Sequence, residues 1–311
     1  MSKIAIIGCG FVGSTIGYTL ACSGFAREIV LIDLDRNKAE GDALDIAHGM
    51  PLIKPVEIYS GGIEDVKGAN IIVITAGINR TPEKSRLELV KDNVEIYKNL
   101  IPRLVNVNSD AIYLIVSNPV DILTYVTQKI SGLPKGKVIG SGTVLDSSRF
   151  RYLLSKEIGV DPRNIHGYII GEHGDSELAT WSTTTVSGMG IDDYCKTVGF
   201  NLTNEVKSNI EDSVRKSGFE VINKKGATYY AIALAVIRVI ECIIRDEKSI
   251  LTVSSLINGE YGVEDVALSL PSLVSREGVI KTLELKLNDD EIRAFTESAN
   301  IIKKIIKEVG F

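Results

Sequence analysis

KIAIIGCGFVGSTIGYTLACSGFAREIVLID, residues 3 to 33, joins a short apolar run, three glycines spaced G-x-G-x-x-G, a helical pattern and a second β-branched run that closes on an acid. The glycine spacing alone is a weak signal, and its position between a strand and a helix is what gives it meaning. Gly8 permits a tight turn, Gly10 lets backbone approach a pyrophosphate, and Gly13 allows helix and strand to pack closely. Phe11 and Val12 open the helix, whose first N–H groups are free to face phosphate. Asp33, at the end of the second run, suits both hydroxyls of an adenosine ribose and repels a 2′-phosphate. The predicted cofactor is therefore NAD rather than NADP, with Arg36 nearby as a residue that softens the exclusion. The bland alternative is a glycine-rich turn that binds nothing.

Working outward, Ile71 to Thr75 and Ala111 to Ser117 repeat the continuous Ile/Val pattern of strands buried on both faces. Helical stretches such as Val12 to Cys22 and Leu87 to Val105 separate the strands. The pattern predicts an α/β fold, a doubly wound parallel sheet of the Rossmann kind. Past Gly140 long helices dominate, at Ser147 to Ile158, Asn204 to Asn223 and Tyr229 to Arg245, so a second α+β catalytic domain is expected. The expected division is a dinucleotide-binding domain over 1–141 and a substrate-binding domain over 142–311. Ile292, Phe295, Ala299, Ile302, Ile306 and Val309 place one apolar stripe on a closing helix.

At 311 residues the chain exceeds the size at which one core stops growing, which fits two domains. Lys plus Arg number 35 against 40 Asp plus Glu, a balance with no footprint for nucleic acid or an anionic membrane. The expected partner is a small molecule. The longest apolar stretch, Tyr229 to Ile244, is broken by Arg238 and Glu241 and is too short to span a bilayer. The start MSKIAIIG enters a strand without a leader pattern, so a cytoplasmic location is expected. Cys9, Cys22, Cys195 and Cys242 are scattered; they read as reduced packing residues, and no metal site is expected.

GEHGDSE, residues 171 to 177, sets His173 just after the apolar run Tyr168 to Ile170. An imidazole exchanges protons near neutral pH without metal help. GSGTVLDSSRFR, residues 140 to 151, supplies Asp146 and Arg149 three apart, on one face if a helix begins there. Asp146 is suited to fix one tautomer of His173, and Arg149 offers a planar fork for a substrate carboxylate. A helix cap and a surface ion pair are the plain alternatives.

Along essentially its whole length the sequence resembles the L-lactate and L-malate dehydrogenase family, through GCGFVG, SNPVD, GTVLD and GEHGDS. The resemblance implies NAD-dependent hydride transfer to or from a small L-2-hydroxy acid, with His173 and Asp146 moving the proton. It implies Arg149 as the carboxylate clamp, Asn118 near the nicotinamide and the substrate oxygen, and Thr228 of KKGATYY in the pocket. It also implies Arg86 on a loop that closes to polarise the substrate carbonyl, and a homotetramer or dimer.

Within NRTPEKSR, residues 79 to 86, Arg80 occupies the position where malate enzymes of this family carry Arg and lactate enzymes usually carry Gln. Pyruvate has one carboxylate, which Arg149 satisfies, so a second desolvated guanidinium would lack a partner; oxaloacetate supplies one. Ser217 and Gly218 leave room for the longer acid. Malate is therefore the favoured reading, with lactate as its alternative, since Leu87, KKGATYY and ILTVSS resemble bacterial lactate dehydrogenases. Arg151 and His166 resemble the pair through which many of those bind fructose 1,6-bisphosphate between subunits, although an exposed helix residue explains Arg151 equally well. The remoter rivals are a non-catalytic NAD-binding module and an NAD-using hydrolase, the latter needing a metal-binding Cys or His cluster in place of the HGD segment.

Overall fold

The computed structural model describes residues 2–78 and 86–311, with only the backbone of Arg86. Six parallel strands lie in the order β3-β2-β1-β4-β5-β6: β1 (Lys3–Ile7), β2 (Glu28–Ile32), β3 (Glu57–Ser60), β4 (Ile71–Ile74), β5 (Ile112–Ile115) and β6 (Val138–Gly140). This is the doubly wound order, and its reversal between β1 and β4 opens a crevice at the carboxyl ends of those strands.

Successive side chains of a strand point to opposite faces, and here the two sets build separate cores. Ala5, Ile7, Val30, Ile32, Ile72 and Ile74 pack with α3 (Arg86–Val107), α4 (Val120–Ser131) and α9 (Asp289–Glu308). Ile4, Ile6, Ile29, Leu31, Ile71 and Val73 pack with α1 (Phe11–Ser23), α2 (Arg36–His48) and α8 (Tyr230–Arg245). Burial on both faces is why these strands lack polar alternation. A third cluster joins α5 (Val144–Ile158), α6 (Ile191–Thr197) and α7 (Asn204–Lys225) around Phe150, with Trp181 edge-on to its ring.

The chain leaves β6 at Gly140 and enters α5 at Val144, yet later segments return to the sheet. Ser254–Asn258 pairs antiparallel with β6, and Glu264–Ser269 pairs antiparallel with that strand. Helices α8 and α9 then cover opposite faces, so the two halves share one sheet and two cores. Asn288 caps α9 by accepting the Glu291 N–H at 2.9 Å, while Phe295, Ala299, Ile302 and Ile306 form its buried stripe.

All four cysteines are free, but only three pack inside: Cys22 is exposed, because its position on α1 faces away from the stripe of Ile16, Leu20 and Ala21. No described helix is long and apolar enough to cross a membrane.

Candidate active site

At the end of β1 the chain turns through Gly8, whose φ of 101° lies in the left-handed region. A Cβ there would sit 2.7 Å from the Ala76 nitrogen. Gly10 caps α1, and a Cβ placed on it would meet nothing within 4 Å, so open space lies over the first N–H groups of the helix. Phe11, exposed, and the half-buried Val12 flank that opening. The Asp33 carboxylate accepts the Cys9 N–H at 2.6 Å and the Asp35 N–H at 2.9 Å, tying the glycine turn to the end of β2. Open backbone donors beside a fixed carboxylate fit a dinucleotide with free ribose hydroxyls. Asp33→Ser is expected to lower kcat/KM for NADH relative to NADPH by about tenfold or more, as for loss of a charge-assisted hydrogen bond; an unchanged ratio would show that the carboxylate only ties the turn.

The candidate proton-transfer pair and the arginine beside it come from two elements. Helix α5 carries Asp146 and Arg149 one turn apart, and the segment after strand Ile169–Ile170 carries His173. His173 Nδ1 lies 2.6 Å from Asp146 Oδ2, and Arg149 Nη1 donates to Asp146 Oδ1 at 2.8 Å. Asp146 is only 1% exposed, whereas the His173 ring is part-exposed. Burial works against the Asp146 anion, but His173 and Arg149 outweigh it and hold the carboxyl below the ordinary range. Burial likewise opposes the imidazolium, yet the charge and hydrogen bond of Asp146 carry His173 up to about 9. The result is an imidazole that keeps its proton at neutral pH and presents Nε2 away from the bonded Asp146.

The motifs assign no role to three supports, although Asp121 closes SNPVD and Glu177 closes GEHGDSE. Asp121, on α4 and buried, accepts the His173 backbone N–H at 2.7 Å and the Ser254 hydroxyl at 2.6 Å, fixing the histidine segment to both halves of the chain. Burial pushes its carboxyl up to about 6 against those two donors. An acid in the otherwise apolar run VDILTYV was the available signal. Asn93, on the inward face of α3 with Val90, Val94 and Tyr97, receives the Ile78 N–H at 2.7 Å and donates to the Asn118 carbonyl at 3.0 Å. It therefore pins the last described residue before 79–85 to the end of β5. Glu177 is buried beside the pair, with one oxygen close to ligand atoms of both Asp146 and His173.

Of the remaining expected site residues, Asn118 is exposed just past β5 and precedes α4 across a cis bond to Pro119. Thr228 is half-buried in the turn between α7 and α8. Arg149 is not a free fork: one nitrogen is committed to Asp146, while Nη2 points toward Gly218 of α7, where a Cβ would lie 3.9 Å away. Ser217 turns its hydroxyl back to the Ser213 carbonyl. Arg80 lies outside the described residues, as does the side chain of Arg86, whose backbone begins α3. Arg151 donates from Nε to the Gly167 carbonyl at 3.0 Å and lies over the Tyr168 ring, so it is packed in place; His166 is exposed on the adjoining strand. Asp146, His173 and Glu177 are also the one trio of ligand-type groups within 4.8 Å of one another among the described residues, but Asp146 is already engaged by His173 and Arg149.

Comparison with known proteins matches the geometry. A model of the lactate/malate dehydrogenase NAD binding domain matches residues 2–140, and one of the lactate/malate dehydrogenase alpha/beta C-terminal domain matches residues 143–310. An L-lactate dehydrogenase of Thermoanaerobacter sp. (strain X514) is 60% identical over 309 residues, 99% of each chain. One from Acetivibrio thermocellus is 52% identical over 307 residues, 99% of this chain and 97% of that one. The crystal structure of a minor L-lactate dehydrogenase from Enterococcus mundtii superposes with a TM-score of 0.96 at 41% identity, covering 99% of this chain and 98% of that one. A lactate dehydrogenase from a Medee basin deep-sea metagenome library gives 0.96 at 40% identity, covering 100% and 99%.

Proposed function

The chain belongs to the lactate/malate dehydrogenase family, and from that premise we propose that it is an L-lactate dehydrogenase, interconverting pyruvate and L-lactate. Its N-terminal half is an NAD-binding domain. The observation that carries the substrate is the run of relatives named L-lactate dehydrogenase, the nearest of those given above 60% identical end to end. These relatives weigh against the malate preference drawn from Arg80. That preference assumed a guanidinium desolvated inside a closed site, and one residue carries less weight than agreement over a whole chain.

In this reading bound NAD supplies the hydride chemistry, and the protein supplies orientation, charge and the proton. The substrate carboxylate pairs with Arg149 through the nitrogen that Asp146 leaves unused. His173, oriented by Asp146 through Nδ1, gives its Nε2 proton to the developing alkoxide during reduction and takes it back during oxidation. Asp121 holds the His173 backbone so that the ring cannot drift from the reacting oxygen. Asn118 and Thr228 line the pocket, and Arg86 polarises the carbonyl from the start of α3.

The test is kcat/KM with NADH for pyruvate and for oxaloacetate, in the unmodified enzyme and in Arg80→Gln. Pyruvate is expected to be preferred, and Arg80→Gln to change its kcat/KM by less than about threefold, as for a solvated charge. A preference for oxaloacetate that Arg80→Gln reverses would reinstate the malate reading.

A further inference from the structure

Glu177 is a carboxyl without an evident task. It is 5% exposed, and its Oε1 is fully buried with no hydrogen-bond partner. The cations around it are directed elsewhere: Arg149 to Asp146, and Arg215 of α7 to Glu211 at 2.9 Å and Asp212 at 2.9 Å. Arg215 reaches Glu177 only at the main-chain carbonyl, at 3.4 and 3.5 Å. On the same segment Glu172 takes the Ser176 hydroxyl, and from α4 Asp121 takes the His173 N–H. A buried oxygen with no donor disfavours the anion strongly, and a second carboxylate within 4.8 Å of Asp146 compounds the cost.

We propose that Glu177 is a positioning residue that acts on the substrate through charge: it has to retain its own proton for a keto acid to bind beside His173. The inference rests on the proton-transfer reading above and deepens it. With Glu177 neutral, Asp146 and Asp121 are the anions acting on the imidazolium, and the incoming carboxylate shares Arg149 with Asp146 alone. With Glu177 ionised, a second buried anion competes for Arg149 and repels the substrate, so the loss falls on KM. Burial first, and the charge of Asp146 second, push Glu177 up to about 8, while His173, Arg149 and Arg215 pull the other way. Two protons, one on Glu177 and one on His173, are then lost over the alkaline range.

The test is the pH profile of kcat/KM for reduction of whichever of pyruvate and oxaloacetate turns over faster, in the unmodified enzyme and in Glu177→Gln. The alkaline limb is expected to fall with a limiting slope of about two in the former and about one in the latter, with the second proton appearing in KM. The chain holds only 3 histidines, so NMR can follow His173 in the free protein without any substrate. It is expected to titrate in two steps in the unmodified protein and in one, at lower pH, in Glu177→Gln. A slope of about one in both proteins, or an unmoved His173 midpoint, would overturn the proposal. If Glu177→Gln does not fold, the unmodified enzyme decides alone: a slope of about two sustains it and one of about one removes it. Oxaloacetate proving the faster substrate would defeat the lactate reading and leave these outcomes intact.

Discussion

His173→Asn is expected to lower kcat/KM for keto-acid reduction by about a thousandfold, within the roughly 10²–10⁴ that a positioned acid contributes. Asn keeps the side chain polar and close in reach, so the segment that Asp121 and Ser254 hold should stay in place. NADH affinity, read by fluorescence titration, should hold within about threefold, because the glycine turn and Asp33 lie at a separate point of the sheet edge. His173 rises from 6.5 to about 9, so the protonated ring that reduction needs persists through neutral pH and is lost as pH climbs through about 9. Oxidation of the hydroxy acid needs the neutral ring, so its kcat at saturating substrate should rise over that range. A loss below about tenfold in His173→Asn would place the proton donor elsewhere.

Gly13→Ala is expected to destabilise the protein by about 3 kcal/mol or more and to weaken NADH binding by more than about tenfold. A Cβ at this position would stand 1.8 Å from the Gly8 carbonyl oxygen and 2.8 Å from Thr75 Oγ1. Neither atom yields easily. The Gly8 carbonyl is backbone in a left-handed turn, and Thr75 Oγ1 donates to that same carbonyl at 2.7 Å. Relief requires α1 to retreat from β1 and β4, which moves the N–H groups at its start away from where phosphates would lie. Denaturant unfolding and NADH titration of the variant measure both effects. Stability and affinity equal to the unmodified enzyme would contradict the packing described.

Much of this could be read from the chain because each signal was local. A strand, a glycine turn and a helix N-terminus succeed one another within thirty residues, so the spacing at Gly8, Gly10 and Gly13 specifies a cradle without long-range information. The same holds for Asp146 and Arg149, which one turn of helix places together. Arg149 shows the limit: its charge suggested a free clamp, and the fold spends one nitrogen on Asp146, because two groups on one helical face meet each other before they meet a ligand. Arg80 shows another, since a side chain's charge does not reveal whether it is desolvated, and desolvation decides its preference for a second carboxylate.

By itself, the sequence determined the parallel sheet, the glycine turn and the choice of NAD, and singled out His173 as the candidate proton donor, because periodicity and short motifs act over a few residues. Only the tertiary structure decided that strands and helices from beyond residue 142 complete the first half's sheet and cores. It also decided that Asp121, 52 residues upstream of His173, grips that segment, that Asn93 ties Ile78 to Asn118, and that Glu177 is sealed beside the pair with an unpartnered oxygen. These are contacts between segments distant in the chain, and burial and hydrogen-bond satisfaction depend on what folds against a residue rather than on its neighbours in sequence.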